Sequence, residues 1–404
     1  YNSRDGVDGP LGFGWTHNWN TSLLVDSDNN VTIRWGDGHT ETWSPDGGGG
    51  FIGQFGVFAA LIDAGGGAYT LRKKDLSEYH FDSSGQLTSI QDKNGNAFLL
   101  AYTGADLTQI TDTAGRTMTF TYDASHRITQ ITDPISRTIS YNYDTNGDLI
   151  SVTDARSNTT AYTYDANHQM LTIVDPRLHT VVTNTYDASN RVVQYQSDAK
   201  GGGTAYVYDP DNRQTTITDA LGQVIIHRFD ELLRLIEEID ANGNSSLYHY
   251  DTAGNRIQVN DKNGNPTRYQ YDASGNVTQK TDAPGNTTNI AYFTDHNPQS
   301  RTDALGNTTT FGYDANGNLT TTTDALGNVT TIAYFANGLP QTITNARGSA
   351  TTNTFDAEGN LTQQVDALGN TTQHAYDGVG RRTSTTNARG HTTAYTYDAN
   401  DNLL

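Results

Sequence analysis

Residues 313–333 read YDANGNLTTTTDALGNVTTIA. Asp, Asn and Gly cluster twice in this stretch, and each cluster is followed by a short run rich in Thr, Val, Ile or Leu. That is the pattern of two strands and two turns. Asn316-Gly317 predicts a two-residue type I′ hairpin turn, whose central residues both need positive φ. Gly327, in the second cluster, suits a left-handed bulge position. Period-two alternation puts Tyr162 and Tyr164 of a related stretch on one face and Thr163 on the other.

The same unit recurs along most of the chain. Its markers are an aromatic residue followed by Asp: Tyr122-Asp123, Tyr143-Asp144, Tyr164-Asp165, Tyr250-Asp251, Tyr271-Asp272, Tyr313-Asp314, Tyr376-Asp377 and Tyr397-Asp398, with further pairs at Phe81, Tyr186, Tyr208, Phe229 and Phe355. Tyr102, Tyr292 and Tyr334 fill the gaps in register. A second marker runs half a period out of phase, as in Asp219-Ala-Leu-Gly, Asp303-Ala-Leu-Gly and Asp366-Ala-Leu-Gly. Self-similarity at a spacing near 21 residues marks a repeat architecture. Sixteen such hairpins predict an all-β protein, a long antiparallel β-hairpin strip with strands about 4.8 Å apart. Sheets twist, so the strip should coil into a hollow shell or part of one. Its stability should come from neighbouring repeats pairing with one another.

Residues 231–239 (ELLRLIEEI) test this reading, because Leu232, Leu235, Ile236 and Ile239 make a helical stripe. The repeat register runs through them without insertion, so Leu235 to Ile239 is expected to be a strand. Gly201 to Gly203 lie where the spacing stretches, and a loosened turn is expected there.

The composition agrees with a folded object that has much wetted surface. Only 34% of the 404 residues are apolar, but there are 23 Tyr and 12 Phe, which disordered chains lack. The net charge of −20 argues against nucleic-acid and anionic-membrane partners, which need clustered Lys and Arg. The absence of cysteine excludes disulfides and thiol chemistry. No apolar run approaches the roughly 20 residues of a membrane helix, so no membrane insertion by this segment is expected. The chain starts at Tyr1 within a motif and stops at Leu404 within a repeat, which suggests a fragment of something larger.

Residues 1–75 differ from the array over 76–404. They hold all four Trp (Trp15, Trp19, Trp35, Trp43) and two glycine clusters, and read as a small β cap closing one end. YNSRDGVDGPLGFGWTHNWNTSL, residues 1–23, resembles the entry segment of RHS-repeat proteins, and the Tyr-Asp units resemble their YD repeats. The resemblance covers essentially the whole chain. It implies a β-strip wound into a hollow shell that, in toxin-bearing relatives, encloses a C-terminal toxin domain. It further implies a secreted or cell-surface bacterial protein whose partners are that cargo and further RHS repeats of the same polypeptide. Such relatives end their shell in a self-cleavage element with a DPxGL-like motif. The Asp-Pro pairs here, at Asp133, Asp175 and Asp209, do not continue that way.

No catalytic constellation stands out. G-x-S-x-G, H-E-x-x-H and Walker patterns are missing, and the eleven His are dispersed. The aspartates sit where turn starts need a carboxylate to accept backbone N–H groups. Asp144-Thr-Asn-Gly-Asp resembles the start of a calcium loop, but its glycine stands at the fourth position and no bidentate Glu follows. Catalytic, metal and cofactor residues are therefore assigned as none, and the Tyr-Asp markers are read as structural. The expected function is a non-catalytic shell that shields a toxin or other cargo. The alternative is a cell-surface adhesion or carbohydrate-binding array, in which exposed Tyr would stack on glycans.

Overall fold

The computed structural model describes residues 1–196 and 202–404, with side chains at 194–196 left aside. It is all-β. A small hairpin of β1 (Asp8–Gly9) and β2 (Gly12–Phe13) precedes a four-stranded sheet of β3 (Ser22–Val25), β4 (Val31–Arg34), β5 (Thr40–Pro45) and β6 (Phe51–Gly53). Every later strand, from β7 (Ala60–Gly65) and β8 (Ala68–Arg72) to β39 (Thr392–Ala394), joins one long sheet. Each strand pairs antiparallel with its sequence neighbours. The sheet thus takes in β7 and β8, within the segment read as the cap. The front-end Trp residues lie before it.

Two kinds of turn alternate along the strip. A turns follow the aromatic-Asp marker and B turns follow the second marker, so they lie on opposite edges. Both are built alike. Asp314 N–H donates to Asn318 O at 3.0 Å and Gly317 N–H to Asp314 O at 3.0 Å; Asp324, Gly327 and Asn328 repeat the arrangement at the next B turn. Gly317 and Gly327 both have φ of 80°. This corrects the expected type I′ turn. Ala315 and Asn316 are the central residues, Asn316 is not left-handed, and Gly317 closes a three-residue loop as a bulge. The carboxylate decides the outcome, because Asp314 Oδ1 accepts the N–H groups of Asn316 (3.0 Å) and Asn318 (2.8 Å). A two-residue loop would leave no such nest. Across the A hairpins the register shifts by one at the aromatic marker, as between Gly312 and Tyr313, except at Tyr208, whose hairpin stays in register.

Leu235–Ile239 is strand β24, paired on both sides, as the repeat register requires. Leu232 and Ile236, half of the apparent helical stripe, are exposed. The loosened turn expected at Gly201 to Gly203 starts outside the described residues, and Gly203 opens the strand Gly203–Asp209.

Among the described residues the main dry core lies at the front, with Leu149, Met170 and Val182 buried further along the strip. Leu23, Val31, Ile33 and Trp43 of the small sheet pack with Leu61, Leu71, Phe81, Leu87 and Ile128 of the strip. Trp43 is completely buried, its indole N–H donating to Ala59 O at 3.1 Å.

Candidate functional site: the marker ladders and the two edges

The tyrosine of each marker lies across the sheet towards the preceding unit. At most markers its hydroxyl donates to a main-chain carbonyl there, at the start of the strand that leaves the previous A turn. Tyr122 reaches Leu107 O (2.9 Å), Tyr143 Ile128 O (2.7 Å) and Tyr164 Leu149 O (2.7 Å). Tyr250 reaches Leu235 O (2.9 Å), Tyr271 Arg256 O (2.9 Å), Tyr376 Leu361 O (3.0 Å) and Tyr397 Arg382 O (2.8 Å). Tyr313 lies edge-on to Phe293. Where the marker is Phe355, the amide of Asn353 donates to Pro340 O instead, at 2.9 Å. Burial pushes the hydroxyls of Tyr122, Tyr143 and Tyr164 far above the ordinary phenol range, so they remain donors. Sequence reasoning placed these residues on one face but did not foresee the hydroxyl's role. The preference for Tyr over Phe at the marker was the available signal.

The marker aspartates are consumed by their own turns. Asp123, Asp144 and Asp165 each accept two backbone N–H groups, two and four residues on. Asp251, Asp272, Asp314 and Asp398 add the side-chain amide of an Asn, and Asp377 adds Arg381 Nε at 2.7 Å. At Asp398 the Asn402 amide and then backbone N–H groups hold the carboxyl below its usual range. Partial burial pulls the other way at Asp251 and Asp314, yet the bonds from Asn255 and Asn318 keep both low. Among the described residues no three His, Asp or Glu side chains converge as metal ligands would.

His and carboxylate do meet on the A edge, as turn struts. His168 Nδ1 lies 2.9 Å from Oδ1 of Asp148, which is 2% exposed, and the imidazole stacks on Phe13 with centroids 3.8 Å apart. His126 bonds Asp106 in the same way at 2.9 Å. The front-end indoles are likewise engaged internally. Trp15 Nε1 donates to Tyr164 Oη (2.8 Å) and Trp35 Nε1 to Glu41 (2.9 Å), while Trp19 packs edge-on to Phe98. A cleft of about 730 Å3 lies between the small sheet and the strip, lined by Trp19, Trp35, Tyr79 and Glu41. Lys73 fills part of it, its ammonium 4.4 Å from the Trp35 ring centre and 4.5 Å from that of Tyr79.

The coiling brings the A edge into contact with distant parts of the chain. Along the first repeats that something is the front segment: Leu23 N–H donates to Gly85 O (2.8 Å), Ile128 N–H to Pro10 O (2.8 Å) and Tyr1 Oη to His168 O (2.8 Å). Phe55 then packs at Gly254 and Phe58 at Gly275. From there on, the B edge of the early repeats takes over. Lys93 Nζ donates to Gly317 O (2.6 Å), Asn96 to Asn337 O (2.9 Å), and Arg156 pairs with Asp398 (2.9 Å). The strip has therefore wound past its own beginning.

The Teneurin YD-shell model matches residues 71–176 and 105–320, the RHS Repeat model matches 334–371, 355–392 and 376–404, and a domain of unknown function matches 1–43. No curated protein matches. Among solved structures, the crystal structure of TcdB2-TccC3 is similar at a TM-score of 0.56 and 15% identity, over 93% of this chain and 23% of that one. The Photorhabdus luminescens Tc holotoxin pore gives 0.44 and 14%, over 95% and 26%. The chain spans about a quarter of the length of these structures.

Proposed function

Since the chain belongs to the Teneurin YD-shell family, we propose that it is the wall of a hollow shell that encloses and shields a cargo domain, a C-terminal toxin of a larger secreted bacterial polypeptide. The observation that carries this reading is the seam between the early B turns and the late A turns, which joins successive wraps of one strip into a wall. The wall itself is not an enzyme. The marker carboxylates and most of the marker hydroxyls are already bonded within the repeats, where a catalytic role would need them free. The RHS repeats in the second half of the chain support a secreted or cell-surface setting. No helix in the described residues is long and apolar enough to cross a membrane.

The test is to read the coding region past Leu404 and express the complete polypeptide. Limited proteolysis should leave the terminal domain intact until the shell is denatured. A terminal domain cut as fast inside the polypeptide as on its own, or repeats running into a wall anchor, would sink the proposal.

A further inference from the structure

One seam contact sets a lysine against a side-chain amide. Lys74 stands second in the B-edge turn that Lys73 N–H closes on Ser77 O, and its ammonium reaches across 202 positions to Asn276, with Nζ 3.4 Å from Oδ1. The amide is held in one orientation. Its Nδ2 donates to Asp272 Oδ2 at 2.9 Å and to His296 Nδ1 at 3.1 Å, which leaves Oδ1 to face the lysine. Asn276 is buried, and the Phe58 ring roofs the pair, its centre 4.5 Å from Nζ and its edge seated on Gly275. Burial pushes the Lys74 amine below the ordinary lysine range, and the nearby charge of Asp272 offsets only part of this.

Lys93 holds the same place in the next B turn and meets the Asp314 turn, yet it is engaged differently. Its ammonium donates to the main-chain oxygen of Gly317 at 2.6 Å, and Asn318 Oδ1 accepts the amide of Asn94 at 3.2 Å. Lys73 lies over Trp35 and Tyr79, and Lys262 pairs with Asp240. Among the described residues Lys74 is the one lysine whose ammonium meets a side-chain amide.

We infer that Lys74 and Asn276 join in an intramolecular isopeptide bond, with Asp272 as the proton carrier. Lys74 Nζ forms a bond to Asn276 Cγ and gives up two protons. The Cγ–Nδ2 bond breaks, and Nδ2 leaves with both protons as ammonium. Nothing is oxidised or reduced, and no co-reactant is needed. Burial favours the neutral amine that must attack. The fold holds amine and amide together, so that their meeting costs no further entropy. Asp272 Oδ2 already touches the nitrogen that leaves, and passes to it the protons that the amine releases. Its place in the turn does not remove it from this step, because the group it binds is the group that reacts, and the step occurs once per chain. The product ties the front of the strip covalently to a later A turn, at a seam otherwise held by hydrogen bonds and packing. The bond would form whether or not the wall encloses a cargo.

The test is the mass of the full folded chain, followed by peptide mapping. The chain should weigh one ammonia less than its sequence, and proteolysis should release a branched peptide joining the segments around Lys74 and Asn276. Ammonia is also lost when an Asn-Gly pair such as Asn316-Gly317 closes on its own main chain, so the branched peptide decides. Lys74→Arg and Asn276→Ala should abolish that peptide, and Lys93→Arg should retain it. Asp272→Asn should slow its appearance by about 100-fold or more. That variant keeps its loop, since Asn345 and Asn387 start the same loop elsewhere in the strip. A folded native chain of full mass, giving only the two linear peptides, overturns the inference without reference to any variant. A branched peptide that forms as fast in Asp272→Asn overturns the role of the carboxylate.

Discussion

Phe120 and Phe311 hold the same place in their repeats, two residues before the marker tyrosine, yet they live in different solvents. Phe120 is 5% exposed, whereas Phe311 is only half-buried. Two neighbours make the difference. Opposite Phe120 the adjoining strand places Ile131, and above it the front segment lays His17, stacked at 6.2 Å. Opposite Phe311 stands Thr322, in a strand that reads LTTTT. One repeat thus supports two kinds of wall. The first units carry an aliphatic face because the small sheet covers it. The later ones are uncovered, and use Thr, Asn and Tyr that tolerate water. Burial of apolar area stabilises the first kind, and hydrogen-bonded turns and neighbour pairing stabilise the second.

The comparison is broken most directly by truncating both rings. Phe120→Ala should cost about 3–5 kcal/mol of stability, the usual range for emptying a dry aromatic site. Phe311→Ala should cost roughly 1–2 kcal/mol, since a half-buried ring gives up half the transfer term and leaves no closed cavity. Denaturant titration of the full chain measures both, and equal losses would mean that the front segment adds no dry core.

Glycines sharpen the same contrast. Gly85 and Gly327 share the left-handed turn position, with φ of 77° and 80°. A side chain on Gly327 would meet open space, so Gly327→Ala costs only the left-handed penalty of about 1–2 kcal/mol. A Cβ on Gly85 would lie 2.0 Å from the Leu23 carbonyl oxygen. Gly85→Ala should therefore add to that penalty the loss of front-segment docking. The added part is visible as faster amide exchange at Leu23, whose N–H bonds Gly85 O.

Tyrosine hydroxyls come next in size. Tyr122→Phe leaves the carbonyl of Leu107 unbonded in a buried place (Leu107 is 4% exposed) and should cost about 1–3 kcal/mol. Tyr334→Phe frees the carbonyl of Leu319, which water reaches more easily, and should cost roughly 0.5–1 kcal/mol. Thermal melts of the two variants rank them, and the order should not reverse.

How much of this could be read from the chain alone follows from the range of each interaction. The strands, the alternating turns and the override at Leu235–Ile239 were legible because they repeat every unit or so. The turn type was misread at Asn316-Gly317 by weighing one dipeptide. Asp324-Ala-Leu-Gly, which lacks that dipeptide and forms the same loop, was the better guide. The wrap-to-wrap seam was not legible at all. It joins residues such as Asn96 and Asn337 across 241 positions, and its tips, Asn94, Ile135 and Arg156, share a position but no residue type. The front segment stood out in the sequence as a change in composition, but the contacts of Phe13 with His168, Trp15 with Tyr164 and His17 with Phe120 were not legible.

Acid should separate the two regions too. In the uncovered repeats the turn carboxylates of Asp240, Asp261, Asp303, Asp324 and Asp366 are held low, foremost by bonds from the Asn four residues on, and Asp240 reaches about 2. A depressed carboxyl stabilises the fold above its unfolded pKa of 3.8, and the contribution disappears as pH falls through the folded value. Between about pH 4 and pH 2, amides around residues 240–370 should lose protection, while those of Val31, Ile33 and Leu71 keep it. The dry core holds them although Asp26, Asp46 and Asp75 in the flanking turns are also held low. Simultaneous loss in hydrogen exchange would contradict the division.

The smallest effect is one whose sign should differ between the two regions. Leu233 and His168 both stand at the left-handed turn position, with φ of 59° and 63°. Leu233 is 74% exposed, so Leu233→Gly relieves a strain of about 1–2 kcal/mol and restores roughly 0.5–1 kcal/mol of unfolded-chain freedom, a net gain below about 1 kcal/mol. His168→Gly relieves the same strain but removes the ring that bonds Asp148 and stacks on Phe13, leaving a carboxylate that is 2% exposed without its partner. Burial already raises that carboxyl above its usual range, so without His168 it would take up a proton more readily. The melt of Leu233→Gly should rise and that of His168→Gly should fall. A rise in both would mean that the front segment does not depend on its A-edge struts.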